Sequence, residues 1–290
     1  MIKKLILLKL ALLLSACSHI ATVPLTDKVL PTSPVSNVSY ASLATQAGAD
    51  NSITLHYGSE PLQFGRLYLP AMLTKDSKVP LLVFIHGGCW LNAYDLNHST
   101  AFSQAVANAG IAVWSVEYRR VGDSGGGWPG SYHDVHKALQ FAQYQLSSYP
   151  VDQRKLAIAG HSAGGQLALL AAANVAAEEL RAVIGLAAIT DLTLYAAGNN
   201  SCQRATSAFI GGSAAEFPGR YKLASPQGQR LHPSTLLLHG SSDRIVPLRQ
   251  ASESGINNQI IDDAGHFDWL HPQTQAFAQF LQKLQEQFAK

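Results

Sequence analysis

"KLAIAGHSAGGQLALLAAA", residues 155–173, passes from an apolar run through Gly-His-Ser-Ala-Gly-Gly straight into a helix-prone segment. The opening "KLAIAG" has the length and apolarity of a buried strand. The closing "GQLALLAAA" is rich in Ala and Leu, the strongest helix formers. Few residues separate the two, so the turn must be sharp. Gly160 lies two positions before Ser162 and Gly164 two after. Side chains at those positions would crowd the turn, and glycine removes them. Gly-x-Ser-x-Gly between a strand and a helix is the nucleophile-elbow pattern, which lifts a serine hydroxyl clear of the backbone. Five such residues alone fit an ordinary glycine-rich turn equally well; the strand before and the helix after set this one apart.

Working outward, the same strand–helix alternation recurs. "SITLHYG" and "FGRLYLP" alternate as a probable hairpin pair would, and "VPLLVFIHGG" is a continuous apolar run, hence a buried central strand. "STAFSQAVANAG" predicts a helix begun at Ser99 or Thr100 and closed by Gly110. "IAVWSVEY" follows as a strand, then "YHDVHKALQFAQYQL" as an amphipathic helix with Val135, Leu139, Phe141 and Leu146 inward. Beyond the elbow, "AVIGLAAI", "TLLLHG" and "NQIIDDAGH" are strands and "TQAFAQFLQKLQEQF" is the closing helix. The expectation is an α/β fold, a mostly parallel sheet with helices on both faces. Residues 190–233, with "AGNNSC", "IGG", "FPGRY" and "SPQGQ", are turn-rich and interrupt the alternation; they predict a cap insert over the sheet edge.

A lone serine is a poor nucleophile and needs a base, an acid to orient it, and donors for an oxyanion. Asp243, four residues past the end of "TLLLHG", is the candidate acid. Asp191 follows the strand next to the elbow and has a turn-capping role open to it; Asp262, Asp263 and Asp268 crowd the candidate base in sequence. That base is His266, after the last strand, which puts the chain order at Ser162, Asp243, His266. "HGG" at 86–88 ends an earlier strand, where glycines let backbone amides face a substrate oxygen. The expected donors are the Gly88 and Cys89 amides with that of Ala163, and His86 braces the loop. Trp90 and Trp128 are candidate substrate-binding walls, core packing being the other role open to both. No His-Glu-x-x-His, paired-cysteine spacing or phosphate-cradling glycine loop points to a metal or a nucleotide, so no cofactor is expected. "GDSGGGWPG" at 122–130 predicts a loop near the site rim.

Taken together, "HGGCW" at 86–90, "VEYRR" at 116–120, "WPGSYHDV" at 128–135, "GHSAGG" at 160–165, "HGSSDRIVP" at 239–247 and "GHF" at 265–267 resemble the α/β-hydrolase superfamily. The nearest resemblance is to its esterase/lipase group, with hormone-sensitive-lipase-like, kynurenine formamidase-like and feruloyl-esterase-like proteins. It spans roughly residues 80–270. It implies the α/β-hydrolase fold, an eight-stranded sheet with a Ser162–His266–Asp243 triad, and hydrolysis of a small-molecule carboxylic ester through an acyl-enzyme. An arylformamidase or small amidase shares the same acyl chemistry, and a non-enzymatic surface binding protein on the fold is the other class; such proteins usually lose a triad residue, and none is missing here. Cys89 stands where many relatives carry Gly, Ala or Tyr, a departure that narrows the pocket or allows a bond to Cys202 in the cap.

The 290 residues, 47% hydrophobic and 14% charged, suit one large domain or two small ones. A net charge of +2, with no basic stripe, gives no argument for nucleic acid. "MIKKLILLKLALLLSAC" has the charged start and short apolar stretch of a signal peptide over residues 1–16. Leu14-Ser15-Ala16-Cys17 resembles the bacterial lipobox, which implies a lipidated Cys17 and a membrane anchor; a plain secretory signal is the alternative. Ser18, in place of an aspartate, favours the outer over the inner membrane by that resemblance. Residues 17–50 are expected as a tether and 51–290 as the folded domain. An exported chain permits a Cys89–Cys202 disulfide, but sequence does not bring the two together.

Overall fold

The apolar runs read as strands between residues 79 and 261 all join one sheet, with a hairpin before them. The strands are β1 (Ile53–His56), β2 (Phe64–Tyr68), β3 (Val79–Ile85), β4 (Ala112–Val116), β5 (Val151–His161), β6 (Ala182–Leu186), β7 (Thr235–Gly240) and β8 (Asn258–Ile261). Their order is β1-β2-β4-β3-β5-β6-β7-β8. The β1–β2 hairpin and the β2–β4 pair are antiparallel, and all other pairs are parallel. The computed structural model describes residues 35–74 and 77–290; segment 1–16, Cys17 and the tether as far as residue 34 lie outside them.

Period-2 alternation sorts the central strands between two cores. Leu81, Val83 and Ile85 of β3 join one core with α3 (Gly130–Tyr144) and α4 (Ala163–Ala172). Leu82 and Phe84 join the other with α2 (Thr100–Asn108) and α9 (Gln275–Phe288). Both faces are therefore covered, which is why β4 and β6 are buried at every position. Parallel strands leave their carboxyl ends on one edge, and the loops after β3, β5, β7 and β8 meet there.

Two expectations need correction. The 190–233 insert is not a run of turns: it forms α5 (Leu192–Ala196), α6 (Ser201–Ile210) and α7 (Pro218–Ala224). Its turn residues are helix punctuation. Asn200 and Gln203 make a capping box on α6, Gly211 closes it at a φ of 90°, and Pro218 opens α7. The tether, in its described part, is not free of the domain. The Asn37 and Val38 amides donate to the buried Asp268 carboxylate at 2.9 and 2.8 Å. Helix α1 (Tyr40–Ala44) then buries Leu43 in the second core. The few charges and small residues that suggested a linker concealed these contacts, which depend on a carboxylate more than two hundred residues away.

Candidate active site

Ser162 turns the chain from β5 into α4 at a φ of 55°, a region L-residues rarely adopt. Its amide donates to Leu186 O at 2.9 Å, and its carbonyl accepts from Gly165 and Gln166. Neither flanking glycine is needed for a positive φ; both are needed for approach. A Cβ on Gly160 would run into the Gly164 carbonyl, and one on Gly164 into the carbonyls of Ile85 and His86. The elbow is thus wedged against the end of β3, and this places the "HGG" loop over the serine.

His266 and Asp243 meet there from the loops after β8 and β7. His266 donates from Nδ1 to Asp243 Oδ2 at 2.7 Å. Oδ1 of the same carboxylate accepts the Ile245 and Val246 amides at 2.8 and 2.9 Å. Burial pushes this carboxyl up, but His266, His239 and the Val246 amide outweigh it, and the pKa lies below the usual carboxylate value. The rival acids have other places. Asp191 caps α5 by accepting from Leu194 N at 2.9 Å, Asp268 holds backbone amides, and Asp262 and Asp263 are exposed.

His161, beside the serine, is buried, and its Nε2 donates to the His266 carbonyl at 2.8 Å. Burial first, and then the neighbouring His266, hold its pKa well below the ordinary histidine value, so its ring is neutral at pH 7. The elbow strand and the base loop are joined through this one bond.

Gly88, Cys89 and Trp90 carry φ values of 113°, 54° and 58° in succession. This curls the loop so that the Gly88, Cys89 and Ala163 amides donate to no backbone carbonyl among the described residues. His86 is buried beneath it, with Nδ1 2.7 Å from Gly87 O and Nε2 3.0 Å from Glu117 Oε1. Glu117 also accepts from the amides of Tyr118 and Leu96 and pairs with Arg120. Burial pushes the Glu117 carboxyl up; His86, Arg120 and the Tyr118 amide together bring it below its ordinary value. The loop therefore rests on a buried charged network, of which the sequence disclosed only His86.

A cavity of about 280 Å³ opens over Ser162. His266 and the Gly88–Cys89 loop line one part of it, and Ser201 and Cys202 of the cap another. Tyr40, Tyr94, His98 and Phe267 form an aromatic wall. Cys89 and Cys202 are disulfide-bonded, with Cα atoms 5.0 Å apart, so the cap is fastened to the loop.

The two tryptophans belong elsewhere. Trp90 is wholly buried, donates from Nε1 to Gln166 Oε1 at 2.9 Å and stacks on Phe209; it is a core residue beneath the cap and does not line the cavity. Trp128 borders a separate surface hollow with Tyr132 and Arg230. Adjacency in sequence to "HGGC" and to a glycine loop suggested walls, but the positive φ values at 88–90 turn the Trp90 side chain away. Of the wall residues to which the sequence reading assigned no role, Tyr40, Tyr94 and His98 lie in no motif, and Phe267 closes the "GHF" at 265–267. Only Phe267, next to the candidate base, had a positional signal.

The sheet order, the elbow after β5, and the acid and histidine after β7 and β8 define an α/β-hydrolase. The BD-FAE family model matches residues 66–254, well over half of the chain, and the chain belongs to that family. The match includes Ser162 and Asp243 and ends before His266. Among curated relatives, esterase LipC of Mycobacterium tuberculosis is 27% identical over 272 residues, covering 81% of this chain and 66% of the relative. Probable carboxylesterase 5 of Arabidopsis thaliana is 33% identical over 115 residues, 35% of either chain. The chain thus spans between about a third and two thirds of these relatives' lengths. Two solved structures share the fold. A truncated carbohydrate esterase from gut microbiota has a TM-score of 0.65 at 22% identity, covering 83% of this chain and 97% of its own. Esterase B from Lactobacillus rhamnosis has 0.70 at 17%, covering 86% and 90%.

Proposed function

We propose that this chain is a serine hydrolase of small carboxylic esters. The observation that carries the reading is the convergence, over one cavity, of Ser162, an Asp243-bound His266 and three unengaged backbone amides. Ser162 Oγ attacks the ester carbonyl while His266 Nε2 takes its proton. Asp243 fixes the imidazole tautomer through Nδ1 and stabilises the charged ring. The amides of Gly88, Cys89 and Ala163 receive the developing oxyanion; because the loop is already curled, they need no rearrangement as charge appears. His266 then protonates the leaving alcohol, and water attacks the acyl-enzyme by the reverse route. Esterase names among the relatives support ester over amide substrates. The cavity volume favours a short substituent beside the serine.

Nitrophenyl esters of increasing acyl length, with matched anilides beside them, test the reading. Turnover of the esters, lost in Ser162→Ala, is the expected result. A folded Ser162→Ala protein with wild-type turnover defeats it, and faster anilide than ester cleavage reassigns the enzyme as an amidase.

The lipobox resemblance supports a second proposal, that Cys17 is lipidated and holds the enzyme to the outer membrane. Metabolic labelling with a fatty-acid probe is expected to mark the wild type and not Cys17→Ser; label retained in the variant overturns the anchor.

A further inference from the structure

Residues 35–49 cross from the base loop to helix α2, and they are fastened at both ends. At the first end, Asp268 accepts the Asn37 and Val38 amides, and also the Gly265 amide at 2.9 Å, next to His266. Asn37 Nδ2 donates to Asp263 O at 2.9 Å, and Gly265 packs so closely on Asn37 that a Cβ would lie 3.0 Å from its Cα. At the second end, Gln104 of α2 accepts the Gly48 amide at 2.8 Å and donates to Ala49 O at 2.9 Å. Leu43 is sunk in the core between them. The segment is a strap.

The strap carries one side chain into the cavity over Ser162. Tyr40 has its ring centroid 5.5 Å from Tyr94, 5.5 Å from His98 and 5.6 Å from Phe267. Tyr94, His98 and Phe267 of that wall follow β3 and β8; Tyr40 closes the set from the strap. It is 39% exposed, so one part of its surface faces the cavity lining and another faces water. It therefore stands where the cavity ends.

We propose that Tyr40 is a specificity-determining residue: its ring is the end wall that limits the length of the apolar substituent, acyl or alkoxy, beside Ser162. The strap lies wholly outside residues 66–254, so this limit is a property of the chain's own N-terminal segment and not of the stretch that the family shares. A chain too long for the space meets an aromatic ring that cannot withdraw, because its helix is held by Leu43 and by Asp268 behind it. Removing the ring opens the cavity outward into solvent, and the added methylenes of a longer substrate gain room without disturbing the serine. The exposure of Tyr40 means that its loss leaves no internal void, so the variant keeps its fold.

The proposal rests on the esterase reading, and the test separates the two. Wild type, Tyr40→Ala, Tyr40→Phe and Tyr40→Trp are compared as kcat/KM across nitrophenyl esters of rising acyl length and acetates of rising alcohol length. Ser162 labelling by alkyl phosphonates of rising chain length is followed by intact mass. Tyr40→Ala is expected to raise the long-to-short ratio about tenfold in one of the two series, the low end of what one methylene commands in an apolar pocket. Tyr40→Phe should keep the wild-type ratio, since the ring and not the hydroxyl forms the wall, and Tyr40→Trp should lower it. The series that responds shows which arm of the ester occupies the cavity. A labelled, active Tyr40→Ala enzyme with the wild-type profile in both series overturns the wall. A wild-type protein that neither turns over an ester nor takes label on Ser162 overturns the esterase reading and the wall with it.

Discussion

Asp243 holds His266 through a 2.7 Å hydrogen bond from Nδ1 to Oδ2, and the other oxygen of the carboxylate is locked by the amides of Ile245 and Val246. The acid thus has one rotamer and one free task. Asp243→Asn is expected to keep the fold and to lower turnover by about ten-thousand-fold, as the loss of the orienting carboxylate does in the serine-protease triad. Ser162→Ala and His266→Ala should each remove nearly all activity, and the double variant should lose no more than either, because the two act as one unit. Asp191→Asn is the control. Asparagine caps a helix as well as aspartate, so α5 should lose no more than about 0.5 kcal/mol. Steady-state kinetics on folded variants decide the matter, and a full loss in Asp191→Asn with none in Asp243→Asn would move the acid to the loop after β6.

The same carboxyl predicts a pH dependence. Its folded-state pKa lies below the ordinary carboxylate value. A depressed carboxyl contributes stability that is fully present above its unfolded pKa and is lost as pH falls through the folded one. Denaturant unfolding of wild type and Asp243→Asn should therefore show a gap that is constant above about pH 4 and narrows in more acid solution. A gap that widens on acidification contradicts the sign.

The Cys89–Cys202 bond closes a loop with a sequence separation of 113 and joins the curled loop after β3 to α6. Cys202→Ser, or reduction, should lower unfolding free energy by about 2–4 kcal/mol. KM should change more than kcat, since both cysteines line the cavity while the amides remain on their buried His86–Glu117 support. Intact mass without reductant should show no free thiol at either position, and two free thiols would remove the bond from this account.

Gly164 packs against the carbonyls that end β3. Gly164→Ala pushes a methyl group into backbone that cannot rotate aside, and overpacking of this kind costs about 1–3 kcal/mol or more. Denaturation midpoints give the value; wild-type stability in Gly164→Ala would mean that β3 and α4 do not meet so closely.

Much of this site could be seen in the chain because its chemistry depends on local backbone. A strand, a forced turn and a helix fix where a serine can stand, and a period-2 apolar pattern fixes which strands lie inside. Those are properties of neighbouring residues, so "KLAIAGHSAGGQLALLAAA" disclosed the elbow, and the order of loops after later strands disclosed His266 and Asp243. The cap was legible only as an interruption, since Asn200, Gly211 and Pro218 punctuate helices as readily as loops. What no local pattern contains is the meeting of distant segments. Trp90 faces the core because three positive φ values turn it there, and Cys89 reaches Cys202 only because the cap folds back onto the loop after β3. Tyr40 enters the cavity because a carboxylate at 268 captures the amides at 37 and 38. Amino-acid sequence alone determined the sheet, the elbow and the order in which Ser162, Asp243 and His266 follow their strands; tertiary packing decided the walls, since a wall is made of side chains whose proximity depends on the closure of the whole chain and on no spacing within it.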